Sequence, residues 1–182
     1  SPARAIHHYL AAGLWAEAIA EIEAVAQQQM QQGFVRQQLL SWARSLPEAI
    51  RQKRPWLILV LGAHDVQSGK MQAATPRLLK ALDMFQTEGE TEGEMLALLY
   101  LAQIDTLGPR PAVEARLKEM IRTHPQLASP LRRALIHIGM AWSALYRHVW
   151  SEVQQNLVTA MEITRQSADR GAYQMMAQSI GP

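Results

Sequence analysis

Apolar residues recur every three or four positions through almost every segment of the chain, and the strict alternation of a half-buried β-strand is almost absent. A spacing of three and four residues places apolar side chains on one face of an α-helix. The pattern therefore predicts an all-α protein. The predicted helices span 3–12, 15–32, 34–45, 56–68, 70–86, 93–106, 111–123, 130–146, 148–169 and 171–179.

Glycines and prolines interrupt this pattern where helices are expected to stop or start. Glycine ends helices because it adopts left-handed backbone angles readily, and proline suits the first helical turn. Pro76 is an exception, because it falls inside the helix predicted over 70–86 and is expected to kink that helix or to mark its true start. The punctuating residues are Gly13, Gly33, Gly69, Pro47, Pro55, Pro109, Pro111, Pro125 and Pro130.

Three segments of the chain align as copies of one helical hairpin. They are GLWAEAIAEIEAV from Gly13, GKMQAATPRLLKA from Gly69 and HVWSEVQQNLVTA from His148, with a weaker fourth copy around Val113. A glycine makes the turn at the start of the first two, and a small residue early in the second helix lets a neighbouring helix approach. The structural repeat positions are Gly13, Trp15, Ala18, Gly69, Ala74, Leu78, Ala81 and Trp150.

The segment GAHDVQSGKM, residues 62–71, contains a Gly-Lys pair that resembles part of a phosphate-binding loop. Such a loop follows a strand and reads G-x-x-x-x-G-K-[ST]. Here His64 takes the place of the first glycine, and Met71, which has no hydroxyl group, follows Lys70. The preceding apolar run also has the length and spacing of a helix. The segment is therefore predicted to be a turn between two helices and not a nucleotide site.

The aligned copies are similar to the tetratricopeptide (TPR) pattern, in which a turn glycine, an aromatic residue, an alanine and a closing proline recur. From Ala74 onward the copies lie about 40 residues apart, which is longer than the usual repeat of about 34 residues. Longer helices or extra turns would account for the difference. The chain is therefore predicted to stack helix hairpins as an irregular TPR-like superhelix, an α-solenoid.

A longer block, LLSWARSLPEAIRQKRPWLILVLGAHDVQSGKMQAATPRLLKAL, resembles the linker and sensor region of large ATP-binding LuxR-type transcriptional regulators. This is the STAND family that includes the activator of maltose genes. The likeness depends on Trp42, Leu46 and Pro47 and on the basic residues that precede Pro55. It continues through the later leucine, glycine and alanine positions Leu57, Leu61, Gly69, Ala74, Leu78 and Ala81. It extends from about residue 5 to about residue 85, and the remainder has general TPR-like character.

The resemblance implies one TPR-like helical domain over 1–182, with linker-like helices over 1–54 and helical repeats over 55–182, from the middle of a larger regulator. In that family such a region senses an effector or a protein partner and couples binding to self-association. ATP hydrolysis and promoter binding belong to other domains. The implied function is therefore non-catalytic, without a cofactor or direct nucleic-acid contact in this part. The alternative is a free-standing TPR-like adaptor that binds a peptide or a partner helix.

Composition adds three constraints. Hydrophobic residues make up 48% of the 182 residues, enough for a buried core, and the absence of cysteine excludes disulfides and thiolate metal sites. The formal net charge is only +2, with basic residues spread among acidic ones, so no nucleic-acid surface is expected. No apolar stretch reaches the roughly 18 to 20 residues of a membrane span. We therefore expect a cytoplasmic protein without membrane contact.

The histidines give little evidence for catalysis or metal binding. His7 and His8 are adjacent, so on a helix they point about 100° apart and cannot readily share a metal ion. His64 and Asp65 form a pair that could handle protons, but a helix end with Asp65 in solvent is the favoured interpretation. We therefore predict no catalytic residue, no metal site and no enzymatic activity.

Aromatic residues are the best candidates for a binding surface, because they line many interaction grooves. Trp15 and Trp150 occupy repeat packing positions and are predicted to be buried, whereas Trp42 and Trp142 have more polar neighbours and are predicted to be partly exposed. A small effector or a protein partner is expected to bind in the concave groove of the superhelix. The candidate binding residues are Trp42, Tyr100, Gln103, Trp142, Tyr146 and Arg147.

Overall fold

A computed structural model describes residues 2–31, 35–104, 111–127 and 129–166, and these residues form α-helices joined by short turns. No β-strand occurs within these ranges, which confirms the predicted all-α class. Nor does any helix within them combine the length and apolar character that crossing a bilayer requires. The helices are α1 (Pro2–Ala12), α2 (Trp15–Gln31), α3 (Gln37–Ser45), α4 (Glu48–Arg51), α5 (Pro55–Gln67), α6 (Met71–Glu88), α7 (Thr91–Gln103), α8 (Pro111–Thr123), α9 (Pro130–Tyr146) and α10 (Trp150–Gln166).

The predicted helices agree with these bounds to within about three residues at the ends that the structure describes. The helix predicted over 171–179 lies outside the described residues. Helix α4 was not predicted, because a single turn is too short to show periodicity. As expected, Pro55 and Pro130 stand at the start of α5 and α9, where the missing N–H costs no helical hydrogen bond.

Pro76 does not mark the start of a helix, because α6 begins five residues earlier, at Met71. Inside the helix Pro76 cannot donate a hydrogen bond to the carbonyl of Gln72. Both residues are exposed, so water can satisfy that carbonyl. The solvent-facing position explains why the helix tolerates this proline.

The chain divides into two compact units, residues 1–97 and 98–182, and the division falls within α7. In the first unit α5 is apolar nearly all round, and it packs against α6, α2 and α3. Trp56 of α5 meets the ring of Phe85 of α6 edge to face, with ring centroids 5.2 Å apart. A helix that is covered on several sides needs apolar residues on all of them. The predicted boundary between linker-like helices, 1–54, and helical repeats, 55–182, stays a prediction.

Two ion pairs join this region to neighbouring helices, one from Arg54, just before α5, to α2 and one from Asp65 of α5 to α6. Arg54 donates to both carboxylate oxygens of Glu23 on α2, at 3.1 and 2.8 Å. Burial raises the pKa of Glu23, and the nearby Arg54 charge opposes the rise. Asp65 is buried and pairs with Arg77 of α6. The expectation that Asp65 is solvated is therefore wrong, because the α5–α6 packing encloses its carboxylate and Arg77 compensates the charge.

In the second unit α9 and α10 pack as a hairpin around Ala134, Ile138 and Ala160. The Ser129 side chain caps α9 by accepting from the Arg132 backbone N–H, which satisfies one of the unpaired donors at a helix start. Small residues at the centre of the contact let the two helices approach closely. The second unit therefore has its own apolar core.

One turn geometry recurs at four helix ends. At Gly13, Gly69, Gly89 and His148 the backbone has φ of 69°, 72°, 69° and 58°. Each of these residues donates its backbone N–H to the carbonyl three residues earlier, and the next residue donates to the carbonyl five residues before itself. This is the Schellman arrangement, which satisfies the last carbonyls of a helix and reverses the chain. The aligned residues Gly13, Gly69 and His148 therefore make the same turn.

The repeat positions within the helices give a mixed outcome. Ala18, Ala74, Leu78 and Ala81 are fully buried, which confirms that they serve packing. Trp15 and Trp150, however, are exposed, so the prediction that they are buried is wrong. Both are the first residue of a helix, where side chains lean back over the preceding turn.

The turn geometry generates a prediction about Gly69. An alanine at Gly69 meets no atom within 4 Å, so Gly69→Ala tests the backbone alone, and we expect it to lower the free energy of unfolding by about 1 kcal/mol. His148→Ala is the matched control, because His148 already has a Cβ at positive φ, and it should cost much less. Urea unfolding followed by circular dichroism measures both. Equal losses would contradict the assignment of strain to the left-handed angle.

Candidate functional site

Two large aromatic side chains are exposed at the end of α9. Trp142 and Tyr146 are 41% and 40% exposed and lie four residues apart, so they occupy the same face of the helix. Arg147 follows as the C-terminal cap residue. We call Trp142, Tyr146 and Arg147 the aromatic edge. Large exposed apolar side chains next to a charged group are typical of surfaces that bind other molecules.

A small cleft lies beside the aromatic edge. Gly139 and Ser143, which lie one turn from Trp142 and Tyr146 on α9, form part of its wall. The interior holds about 10 Å³, which is room for a single water molecule and far less than the several hundred Å³ of most metabolite pockets. The cleft is lined by Ala102, Val113, Glu114, Leu117, Gly139, Met140 and Ser143.

The two helices that bring Ala102 and Gly139 together approach closely. A Cβ atom added to Gly139 would lie 3.1 Å from the Cβ atom of Ala102, which is tighter than ordinary van der Waals contact. Glycine on α9 and alanine on α7 therefore set the distance between the helix backbones at this point. This distance keeps the cleft narrow.

The charges around the cleft compensate one another. Glu114 accepts hydrogen bonds from Ser143 Oγ at 3.2 Å and from Lys118 Nζ at 2.7 Å. Arg147 lies 3.7 Å from the same carboxylate and makes a shorter ion pair, 2.7 Å, with Glu152 of α10. Through its Arg147 side chain, the aromatic edge therefore contacts charged residues of both α8 and α10. It is one-third exposed, which leaves part of it accessible to a partner.

The structure brings together three of the six predicted binding residues, Trp142, Tyr146 and Arg147. Gln103 is half-buried and follows Ala102, a residue of the cleft wall. The predicted partial exposure is confirmed for Trp142. Whether these residues bind an effector or a partner stays a prediction.

Trp42 and Tyr100 are not placed to contact a partner. Trp42 is only 5% exposed, because it shares the inner face of α3 with Leu39, three residues earlier, while the polar residues occupy the outer face. Tyr100 is only 6% exposed, within a continuously buried stretch of α7. The expectation that both line a groove is therefore not met in this structure. The exposure of Trp42 was predicted from its polar neighbours in the sequence, but adjacent residues of a helix face different directions.

Two residues of the site were not predicted from the sequence, Glu114 and Ser143. The pairing of Glu114 with Lys118 four residues later is a signal that could have marked this face of α8 as ordered. No sequence signal points to Ser143, because its partner Glu114 lies 29 residues away. The contact depends on the tertiary packing of α8 against α9.

His64, Asp65, Gly69 and Lys70 lie at the end of α5 and in the turn that follows it. No cluster of three or more histidine, aspartate or glutamate residues is placed to hold a metal ion in the ranges that the structure describes. Gly69 and Lys70 lie in the turn between α5 and α6, which confirms that this segment does not follow a strand. His64 Nε2 lies 3.4 Å from Ser68 Oγ, while the carboxylate of Asp65 is engaged by Arg77. Asp65 is therefore occupied by a structural ion pair.

Comparison of the chain with protein-family models, with curated protein sequences and with solved structures found no match.

The burial of Tyr100 predicts that its phenol loses its proton at a higher pH than an exposed tyrosine does. Burial raises the pKa of Tyr100 to about 12, and the Arg132 charge opposes the rise. The folded state therefore favours the protonated phenol, and this contribution to stability is complete below pH 10 and is lost as the pH rises through about 12. Absorbance titration of phenolate should show one component near pH 12 that Tyr100→Phe removes. Tyr146→Phe, at an exposed position, is the control and should leave that component in place; its loss there would contradict the assignment.

Proposed function

We propose that the chain is a non-catalytic helical-repeat domain that binds a protein segment at the aromatic edge. The observation that carries this proposal is the exposure of Trp142 and Tyr146 on one helix face, beside a partly exposed arginine. Tryptophan, tyrosine and arginine are the residues most enriched among the energetically dominant positions of protein interfaces. The position of Trp142 and Tyr146 on one helix face makes them a continuous apolar contact surface and not two scattered residues.

A protein segment suits this surface better than a small metabolite. The adjoining cleft admits about one water molecule, and its carboxylate already has cationic and hydroxyl partners. A metabolite would find neither volume nor an unsatisfied polar group there. A peptide or helix could instead lay apolar side chains across the aromatic rings and accept a hydrogen bond from Arg147.

The repeat organisation is the second part of the proposal. Three aligned segments start with the same Schellman turn, and the helix pairs α1–α2, α5–α6 and α9–α10 pack as neighbours. Buried small residues at Ala18 and Ala74 support close helix stacking. These features support, as a proposal, a TPR-like superhelix whose hairpins stack in series.

The regulatory role depends on the sequence resemblance. Residues from about 5 to 85 resemble the linker and sensor region of LuxR-type regulators. We therefore place the domain in the sensing part of a cytoplasmic bacterial transcriptional regulator. Sequencing the gene beyond both ends of this chain tests the placement, which requires an ATPase domain on one side and a DNA-binding module on the other. A stop codon and an unrelated gene on each side would favour the adaptor.

A thermal-shift screen tests the binding surface. The purified chain is screened against peptides and against sugars, amino acids and aromatic metabolites. We expect a peptide to raise the melting temperature by several degrees, because a ligand at about 100 times its Kd stabilises the folded state by about 2.7 kcal/mol. Trp142→Ala and Tyr146→Ala should each abolish most of that shift.

Leu79→Ala is the matched control for the screen. Leu79 is about as exposed as Trp142 but lies in the first unit, so its loss should leave the shift unchanged. A peptide shift that survives both aromatic substitutions would rule out the aromatic edge as the binding surface. A shift given only by a small metabolite would favour effector sensing over binding of a protein segment.

A further inference from the structure

Arg147 of the aromatic edge lies between two carboxylates. Its Nη2 atom is 2.7 Å from Glu152 Oε2 on α10 and 3.7 Å from Glu114 Oε2 on α8. Lys118 Nζ lies 2.7 Å from the other carboxylate oxygen of Glu114. Two basic and two acidic side chains therefore form one cluster, and their formal charges sum to zero.

The guanidinium group of Arg147 has more donors than these carboxylates use. An arginine carries five N–H donors, spread over Nε, Nη1 and Nη2. Both contacts with the carboxylates are made by Nη2, and in the ranges that the structure describes Nε and Nη1 have no hydrogen-bond partner. The side chain is also one-third exposed. A segment that covers Trp142 and Tyr146 can therefore accept a hydrogen bond from Arg147.

The charge balance of the cluster disfavours a carboxylate as that acceptor. A carboxylate bound to Nε or Nη1 would bring a third negative charge close to Glu152 and Glu114, while the charge of Arg147 is already compensated by Glu152. These distances are well within the screening length of about 10 Å at 0.1 M salt, so the like charges repel one another. An amide carbonyl accepts the same hydrogen bond and adds no charge. The local charges therefore favour an uncharged acceptor.

We infer that the aromatic edge selects an uncharged apolar segment over an acidic one, and that Glu152 determines this preference. The segment covers Trp142 and Tyr146 with apolar side chains and accepts from Arg147 through an amide carbonyl. Glu152 does not need to contact the segment, because it acts by compensating the charge of Arg147. The inference rests on the proposed function, since it specifies the partner of the same surface.

Peptides selected from a random library provide the probes. A phage-displayed library of peptides of about a dozen residues is selected on the immobilised full chain at about pH 8, where histidine contributes little positive charge. Peptides that bind equally well to Trp142→Ala are discarded. We expect the retained peptides to be apolar and to lack aspartate and glutamate. A library that yields no peptide dependent on Trp142 overturns the proposed function and this inference with it.

Single substitutions in the tightest-binding peptide then measure the charge preference. Glutamate and glutamine are compared at each peptide position by fluorescence anisotropy, on the wild type and on Glu152→Gln. At one position at least, the ratio of the two dissociation constants should shift about two- to fivefold in favour of glutamate on Glu152→Gln, the range expected for one partly exposed charge pair. A variant that only misplaces Arg147 would weaken both peptides and leave the ratio unchanged.

Glu162→Gln is the matched control. It removes the same charge from an exposed position of α10, about 15 Å from Glu152 along the helix axis, and should leave every ratio as in the wild type. Circular dichroism checks that both variants fold. A wild type that prefers acidic peptides, or ratios that are the same on the wild type and on Glu152→Gln at every position, would overturn the inference. Binding that still depends on Trp142 would in that case leave the proposed function standing.

Discussion

The left-handed turn residue is the feature on which the helix pairs depend. A helix ends with carbonyl groups that have no partner within it, and a residue at positive φ lets its own N–H and that of the following residue turn back and satisfy them. Gly13, Gly69 and His148 all do this at the start of an aligned segment. Because the geometry of the turn is fixed, the second helix returns beside the first, and the small or apolar residues that follow meet their partners. Packing at Ala18 and Ala74 follows from that reversal.

Helix positions were predictable because they depend on local signals. A three- and four-residue apolar period, with glycine and proline at the boundaries, located the described helices other than the one-turn α4 to within about three residues. Where prediction failed, the deciding information was not local. Pro76 is tolerated inside α6 because the carbonyl of Gln72, which loses its helical hydrogen bond, faces water. Asp65 is buried because Arg77, twelve residues later, compensates its charge. Neither fact can be read from the neighbouring residues in the sequence.

The binding surface was predictable only in part for a related reason. Trp142, Tyr146 and Arg147 share one end of α9, so their sequence spacing already places them together. Their exposure could not be predicted in the same way. Trp42 and Trp142 both have polar neighbours in the sequence, yet Trp42 faces the core and Trp142 faces water. The difference arises because exposure depends on which face of the helix packs against other helices. The cleft and its Glu114–Ser143 contact arise from packing of α8 against α9 and have no signature in either helix alone.

Ala102 and Gly139 determine how closely α7 and α9 approach each other, although neither carries a polar side chain. A Cβ atom at Gly139 would lie 3.1 Å from the Cβ atom of Ala102, so alanine at that position would require its neighbour to shift by a few tenths of an ångström. The polar contacts beside this point belong to other residues, Glu114, Ser143 and Arg147. The spacing of the two backbones is therefore controlled by the absence of a single methyl group, independently of the charged and hydrogen-bonding side chains nearby.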